Sequence, residues 1–322
     1  MKNTAIKIEN QLSFEETLFP AVIFNTSNLT DMTACVKWVK ENKTDIEKEL
    51  DKTGAVLFRG FPTPTAQDFD TFVRAFDYPN FSYDDSLSNA LRISVTDRVF
   101  TANEAPPHVN IYLHHELAQT PSYPGKLFFY CEIAPEKGGV TPLCRSDILL
   151  ERISKEMPQL VADFEKKGVR YTNVMADEAD TSSGQGRSWK SLLKAQDREQ
   201  AEKRLRDIGY NWEWQDKGLR VTSCILPAIR TLKDGRRVFF NQLIAAFLGW
   251  KDSRNDPSKA VTFGDGQAIP ADAMARVCQI AEEISFDTPW QQGDIALVDN
   301  YLVMHGRKAF EGKRRVLASL IV

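Results

Sequence analysis

The sequence predicts an α+β protein, a β core with helices packed on its outside. Three observations point there. Short apolar runs bounded by Gly, Pro, Asn and Asp recur along the chain, as strands joined by turns do. Segments with helical spacing stand early and between those runs, without strict strand–helix alternation. The composition can fill a sizeable core: 322 residues, 42% hydrophobic and 26% charged. Pattern alone leaves a double-stranded β-helix and other sandwiches equally open.

Taken in order, residues 30–51 place Met32, Cys35, Trp38, Val39, Ile46 and Leu50 at helical spacing, predicting an early helix. Residues 54–61 are apolar between glycines and predict a buried strand. Residues 65–77 predict a second helix, with Phe69, Phe72, Val73 and Phe76 on one face. A strong strand follows at 126–133, then a turn at Lys137-Gly138-Gly139 and a short strand at 140–143. Residues 147–167 and 192–207 carry helical periodicity. Between them, 177–186 is rich in Asp, Ser, Thr and Gly. That stretch is expected to be a loop covering a site, within a lid-like insertion at about 172–192. The last third predicts a strand at 238–241, a helix at 271–285, and strands at 293–300 and 315–322. No repeat, low-complexity tract or long linker divides the chain, so residues 1–322 are expected to form one domain.

With 41 basic and 44 acidic residues well mixed and a net charge of −3, there is no basic field for nucleic acid and no acidic tail. The first ten residues lack the apolar core of a signal peptide, and no apolar run approaches the length of a membrane span. Cys35, Cys131, Cys144, Cys224 and Cys278 are scattered and form no CxxC pair. They read as buried or free thiols in a reducing, cytoplasmic compartment. The expected partner is a small molecule, not nucleic acid or a membrane.

The chemistry lies in the histidines, of which there are four: His108, His114, His115 and His305. In an extended segment, residues two apart share a face, so His114 and Glu116 can meet one metal while His115 points away. His305, after the apolar strand ending at Asp299-Asn300, is the best third ligand; His108 follows Pro106-Pro107 in a turn-like stretch. Two imidazoles and one carboxylate suit Fe(II), Mn(II) or Zn(II). The zinc-protease pattern H-E-x-x-H is absent. Basic residues beyond His305, at Arg307, Arg314 and Arg315, suggest a guanidinium fork for the remote carboxylate of an oxo-acid cosubstrate. Arg314 and Arg315 are neighbours on an expected strand, so only one can point inward. Arg187, Asn241 and Gln242 are candidates for a polar pocket wall. Their alternative roles are a solvated loop charge and the satisfaction of backbone groups.

These segments resemble the taurine dioxygenase/TfdA superfamily of Fe(II)- and 2-oxoglutarate-dependent oxygenases. Within it they are most similar to the clavaminate synthase-like branch, whose first motif has Glu where taurine dioxygenase has Asp. The resemblance runs over most of the chain, through residues 54–61, 99–104, 114–119, 126–133, 138–142, 186–191, 261–266, 305–307 and 314–320. It implies a double-stranded β-helix (jelly-roll, cupin-like) core with flanking helices. It implies Fe(II) held by His114, Glu116 and His305, with 2-oxoglutarate as cosubstrate and O2 as oxidant. It places Thr141 at the cosubstrate carboxylate and favours Arg315 as the anchor. Four residues beyond that anchor, where taurine dioxygenase grips a sulfonate with Arg, stands Ser319, which argues against a taurine-like substrate. Asn110, four residues before the first iron histidine, is the implied substrate contact. The presence of Glu116 argues against halogenation, since the related halogenases lack the metal carboxylate. The expected reaction is oxidation, by default hydroxylation, of a C–H bond in a small polar, amino-acid-derived substrate, releasing succinate and CO2. Two rivals stand beside it: a zinc-dependent hydrolase with the same ligands, and a non-catalytic 2-oxoglutarate-binding protein.

Overall fold

The computed structural model describes residues 7–83, 86–88, 90, 92–179, 187–250 and 260–322. Two sheets face each other. The larger has the strand order Ala21–Phe24, Ala55–Arg59, Ile295–Asp299, Lys126–Ile133, Arg315–Ile321, Phe100–Thr101. The smaller runs Ser285–Thr288, Thr141–Arg145, Val303–Arg307, Ile111–His114. Pairing is antiparallel throughout, except that Ala21–Phe24 lies parallel to Ala55–Arg59. Leu127, Phe129, Ala296 and Ala318 of the larger sheet share a buried core with Leu143, Phe286 and Val303 of the smaller.

The Lys126–Ile133 strand is apolar on both faces because both are covered. Leu127, Phe129 and Cys131 face the inter-sheet core. Phe128 and Tyr130 point the other way, onto Phe69, Phe72, Ile46 and Leu50 of the two early helices. Helix Met32–Thr53 starts where the Asp31 side chain accepts from Ala34 N at 2.9 Å, and stops at Gly54, whose φ of 82° is left-handed. Helix Ala66–Ala75 starts with a reciprocal Thr65–Asp68 capping box.

Several expectations change in detail. The helical stretch 147–167 is two helices, Ser146–Glu156 and Pro158–Lys167. Pro158 has no N–H to continue the first ladder and opens the second instead. The stretch 192–207 is likewise divided. Trp189–Leu193 ends at Lys194 in left-handed conformation, and Arg198–Asp207 begins at its Asp197 cap. Of the strand expected at 238–241, only Val238 is in one, Arg237–Val238. Asn241 ends the extended run by turning its Oδ1 to accept from Leu243 N, which opens helix Leu243–Gly249. A further sheet, in the order Asn211–Gln215, Gly218–Thr222, Val169–Ala176, Val261–Phe263, was not expected. It takes residues 172–176 of the supposed lid insertion into a regular strand. Residues 180–186 of that insertion lie outside the described residues. All five cysteines are free. Among the described residues no helix is long and apolar enough to cross a membrane.

Candidate metal centre

The Val303–Arg307 strand lies between Thr141–Arg145 and Ile111–His114. Its register sets His305 opposite His114 on one side and Leu143 on the other. His305 follows the Ile295–Asp299 strand as expected and sits inside a central strand of its own. A Cβ on Gly306 would meet Ile111 O at 2.5 Å, so glycine is what lets the two histidine-bearing strands approach.

His114 and Glu116 do share a site, but not through strand alternation. The strand ends at His114, and Glu116 stands on the turn after it. Leu117 in that turn has a φ of 61°, a costly conformation for a bulky side chain. Asn300, fully buried, holds the turn. Its Oδ1 accepts from Glu116 N at 2.7 Å, and its Nδ2 donates to Glu116 O at 3.0 Å and Pro124 O at 2.8 Å. His115 turns away as expected: its Nδ1 donates to Asn300 O, and its ring packs 4.7 Å from that of Phe240.

The donor atoms of His114, Glu116 and His305 all lie within 4.8 Å of one another. His305 Nε2 is 3.5 Å from Glu116 Oε2. His114 Nδ1 lies 2.7 Å from Tyr112 O, and a carbonyl can only accept. The proton is thus on Nδ1, and the Nε2 lone pair is free. Burial, then the neighbouring His305, holds the His114 imidazole down to about 4, so it is neutral at physiological pH. Burial alone would raise the Glu116 carboxyl, but Arg92 and His305 outweigh it and keep it well below the usual carboxylate range. Two imidazoles and one ionised carboxylate, clustered with few other partners, fit a divalent transition metal.

A cavity opens on this cluster in two lobes, which share Arg92, Asn103, Ile111, His114 and Glu116 as their common border. The inner lobe continues to Phe129, Thr141, His305, Arg307, Arg314 and Val316. There Thr141 Oγ1 accepts from Trp290 Nε1 at 2.9 Å and from Arg314 Nη2 at 3.3 Å, while Arg314 Nε donates to Gly139 O at 2.7 Å. Burial, then the Arg307 charge, lowers the Arg314 guanidinium to about 10, still cationic at neutral pH.

Of the paired arginines, the inward one is Arg314, which corrects the expectation of Arg315. Val316, Ala318 and Leu320 face the core, and Arg314 shares their parity. Arg315 points outward, 43% exposed, and pairs with Glu132 at 2.6 Å, where the register skips one residue of the neighbouring strand. Counting four on from Arg314 reaches Ala318 instead of Ser319. Neither is a cation.

The outer lobe includes Asn110, Tyr112, Gln119, Gln242 and Trp250. Asn110 borders it, although its Oδ1 already accepts from Ala309 N at 2.7 Å. Gln242 also borders it, donating to His115 O at 3.1 Å. Asn241 does not: it is buried, with its amide spent on Ala228 O and Leu243 N. Arg187 is not on either wall; it donates to Ser86 O, Ser88 O and Ser191, tying loop to helix. Sequence reading missed Arg92, Asn300 and Trp290. It also missed the role of Arg307, whose guanidinium reaches Ala105 O, Pro106 O and Val109 O at 2.7–2.9 Å.

Residues 25–320 match the family described as Taurine catabolism dioxygenase TauD, TfdA family. The chain is 43% identical over 320 residues to a clavaminate synthase-like protein of Arabidopsis thaliana, covering 97% of this chain and 96% of the other. It is 31% identical over 296 residues to the dapdiamide synthesis protein DdaC of Enterobacter agglomerans, covering 86% and 84%. Among solved structures it is similar to the PvcB protein of Pseudomonas aeruginosa. There the TM-score is 0.51 at 14% identity, covering 89% of this chain and 79% of the other, a likeness of fold alone.

Proposed function

The chain belongs to the taurine catabolism dioxygenase TauD, TfdA family, and on that premise we propose that it is an Fe(II)- and 2-oxoglutarate-dependent oxygenase. We read it as a single domain over residues 1–322 with a double-stranded β-helix core. One observation carries the proposal: neutral His114, ionised Glu116 and His305 converge beside a lobe whose far wall holds Thr141 and Arg314.

In this reading His114, Glu116 and His305 hold the metal. Arg314 and Thr141 receive the remote carboxylate of 2-oxoglutarate, replacing Arg315 in that role. When bound, iron and cosubstrate supply the oxidising power for C–H cleavage, with O2 consumed and succinate and CO2 released. The chain supplies orientation. Tyr112 O fixes the His114 ring, and Asn300 fixes the turn that presents Glu116. Phe129 and Val316 give the inner lobe apolar walls that limit water. The outer lobe takes the substrate, with Asn110 and Gln242 as its polar contacts. A small polar, amino-acid-derived substrate fits that wall, with hydroxylation as the default outcome.

The test is direct. Fe(II) and 2-oxoglutarate are added without oxygen, and the visible iron-to-ketoacid absorption is sought; oxygen is then admitted and succinate followed. A folded protein that gives no absorption would sink the proposal. Absorption without succinate would favour a binding protein, and turnover under nitrogen a hydrolase.

A further inference from the structure

Arg92 lies against the metal centre with donors to spare. Its side chain is 6% exposed, and Nη2 donates to Glu116 Oε1 at 2.9 Å. Nε and Nη1 are buried and meet no acceptor among the described residues. The rings of Tyr83 and Phe100 lie over the guanidinium, 4.3 and 5.0 Å from its carbon. Those contacts occupy its π-system and leave the edge for hydrogen bonding. Arg92 borders both lobes of the cavity.

Two features of this placement call for a ligand. Buried donors without acceptors are rare and costly, and orienting Glu116 engages only one nitrogen of the fork. The charge around the cavity is also unbalanced. Among the described residues on its walls, Arg92, Arg307 and Arg314 face one carboxylate, Glu116. A divalent metal and a dicarboxylate cosubstrate cancel each other, so the cationic excess persists when both are bound.

We propose that Arg92 is a specificity-determining residue that receives a carboxylate of the primary substrate beside the metal centre. This rests on the oxygenase reading above. A carboxylate suits the site because its two oxygens match the planar fork, whereas a neutral carbonyl would leave the charge excess standing. The same chemistry could come from the cosubstrate, and the experiment separates the two sources.

The whole protein is loaded with Fe(II) and 2-oxoglutarate without oxygen, and the visible absorption is the readout. The twenty common free L-amino acids and their C-terminal amides are titrated into the wild type, Arg92→Gln and Arg92→Lys. One or more free acids should perturb the wild-type absorption, with the matching amides weaker by about tenfold or more. Arg92→Gln should weaken those acids by about tenfold or more and leave 2-oxoglutarate affinity unchanged. Arg92→Lys should recover part of the loss. If Arg92→Gln weakens 2-oxoglutarate instead, the carboxylate is the cosubstrate's and the substrate assignment is overturned. If only Mn(II) affinity, followed by EPR, falls, Arg92 merely positions Glu116 and the inference fails. It fails equally if acids and amides act alike or none acts, a comparison on the wild type that stands even if Arg92→Gln does not fold. A wild type that forms no absorption overturns the oxygenase reading itself, a result distinct from these.

Discussion

Replacing Arg314 by Ala should weaken 2-oxoglutarate binding about a hundredfold, whereas Arg315→Ala should leave it unchanged. Arg314 is the half-buried cation beside Thr141 on the wall of the inner lobe. A hydrogen bond to a charged group contributes roughly 1.5–3 kcal/mol. Losing a forked one at the upper end costs about 3 kcal/mol, or about two powers of ten in dissociation constant. Arg314→Lys keeps the charge without the fork and should lose about tenfold. Arg315 is 43% exposed and paired with Glu132. Its loss should cost at most about 1 kcal/mol of stability. The assay is anaerobic titration of the Fe(II) protein with 2-oxoglutarate, read by visible absorption. Arg314→Ala also leaves Gly139 O without its donor, so melting is measured alongside to separate binding from folding. Normal cosubstrate affinity in a folded Arg314→Ala, with loss in Arg315→Ala, would refute the placement.

Other outcomes follow from the same geometry. Glu116→Ala should abolish Mn(II) or Fe(II) binding by calorimetry. His115→Ala should keep it but melt lower, because a fully buried ring bonded to Asn300 O is lost; equal metal loss in both would contradict the site. Asn300→Ala removes three buried hydrogen bonds and should cost about 3 kcal/mol in denaturant unfolding; a loss under about 1 kcal/mol would show the turn holds itself. Gly306→Ala drives a Cβ against Ile111 O and should weaken metal binding without removing any ligand; an unchanged affinity would mean the strands can separate freely. Burial holds His114 to about 4 and His115 to about 3, against an ordinary value of about 6.5. Between those values the unfolded chain binds more protons than the native one, so stability falls as pH drops from about 6.5 to about 3. Glu116, its carboxyl depressed, acts in the same direction at the acid end. Metal-free protein should therefore melt clearly lower at pH 4.5 than at pH 7, and a flat profile would refute neutral, buried imidazoles.

How far the sequence spoke differs from residue to residue. The 126–133 strand and the 65–77 helix were legible because burial imposes a strong period or a continuous apolar run. The meeting of His114, Glu116 and His305 was legible too, yet the reason given for Glu116 failed. A turn stabilised by Asn300, 184 residues away, leaves no local pattern. The choice between Arg314 and Arg315 was readable in the alternation of Val316, Ala318 and Leu320, which outranks a resemblance that fixes position only to within one residue. Trp212 and Trp214 alternate with polar neighbours, but the run is too short to distinguish a strand from a loop. Arg92 was invisible: nothing marks an arginine whose partner lies 24 residues on.

Arg307 stitches the strand bearing His305 to the segment that leads into Asn110, through three carbonyls. That tether makes the wall at residues 105–110 and the strand bearing His305 one mechanical unit. Any shift in the 105–110 segment therefore pulls on the strand that carries His305. The opposite wall is tied as well: Gln242 donates to His115 O, in the turn between His114 and Glu116, and Arg187 holds Ser86 O and Ser88 O. A change on either wall of the cavity is thus felt by the cluster of His114, Glu116 and His305, which makes the two walls evolve as partners.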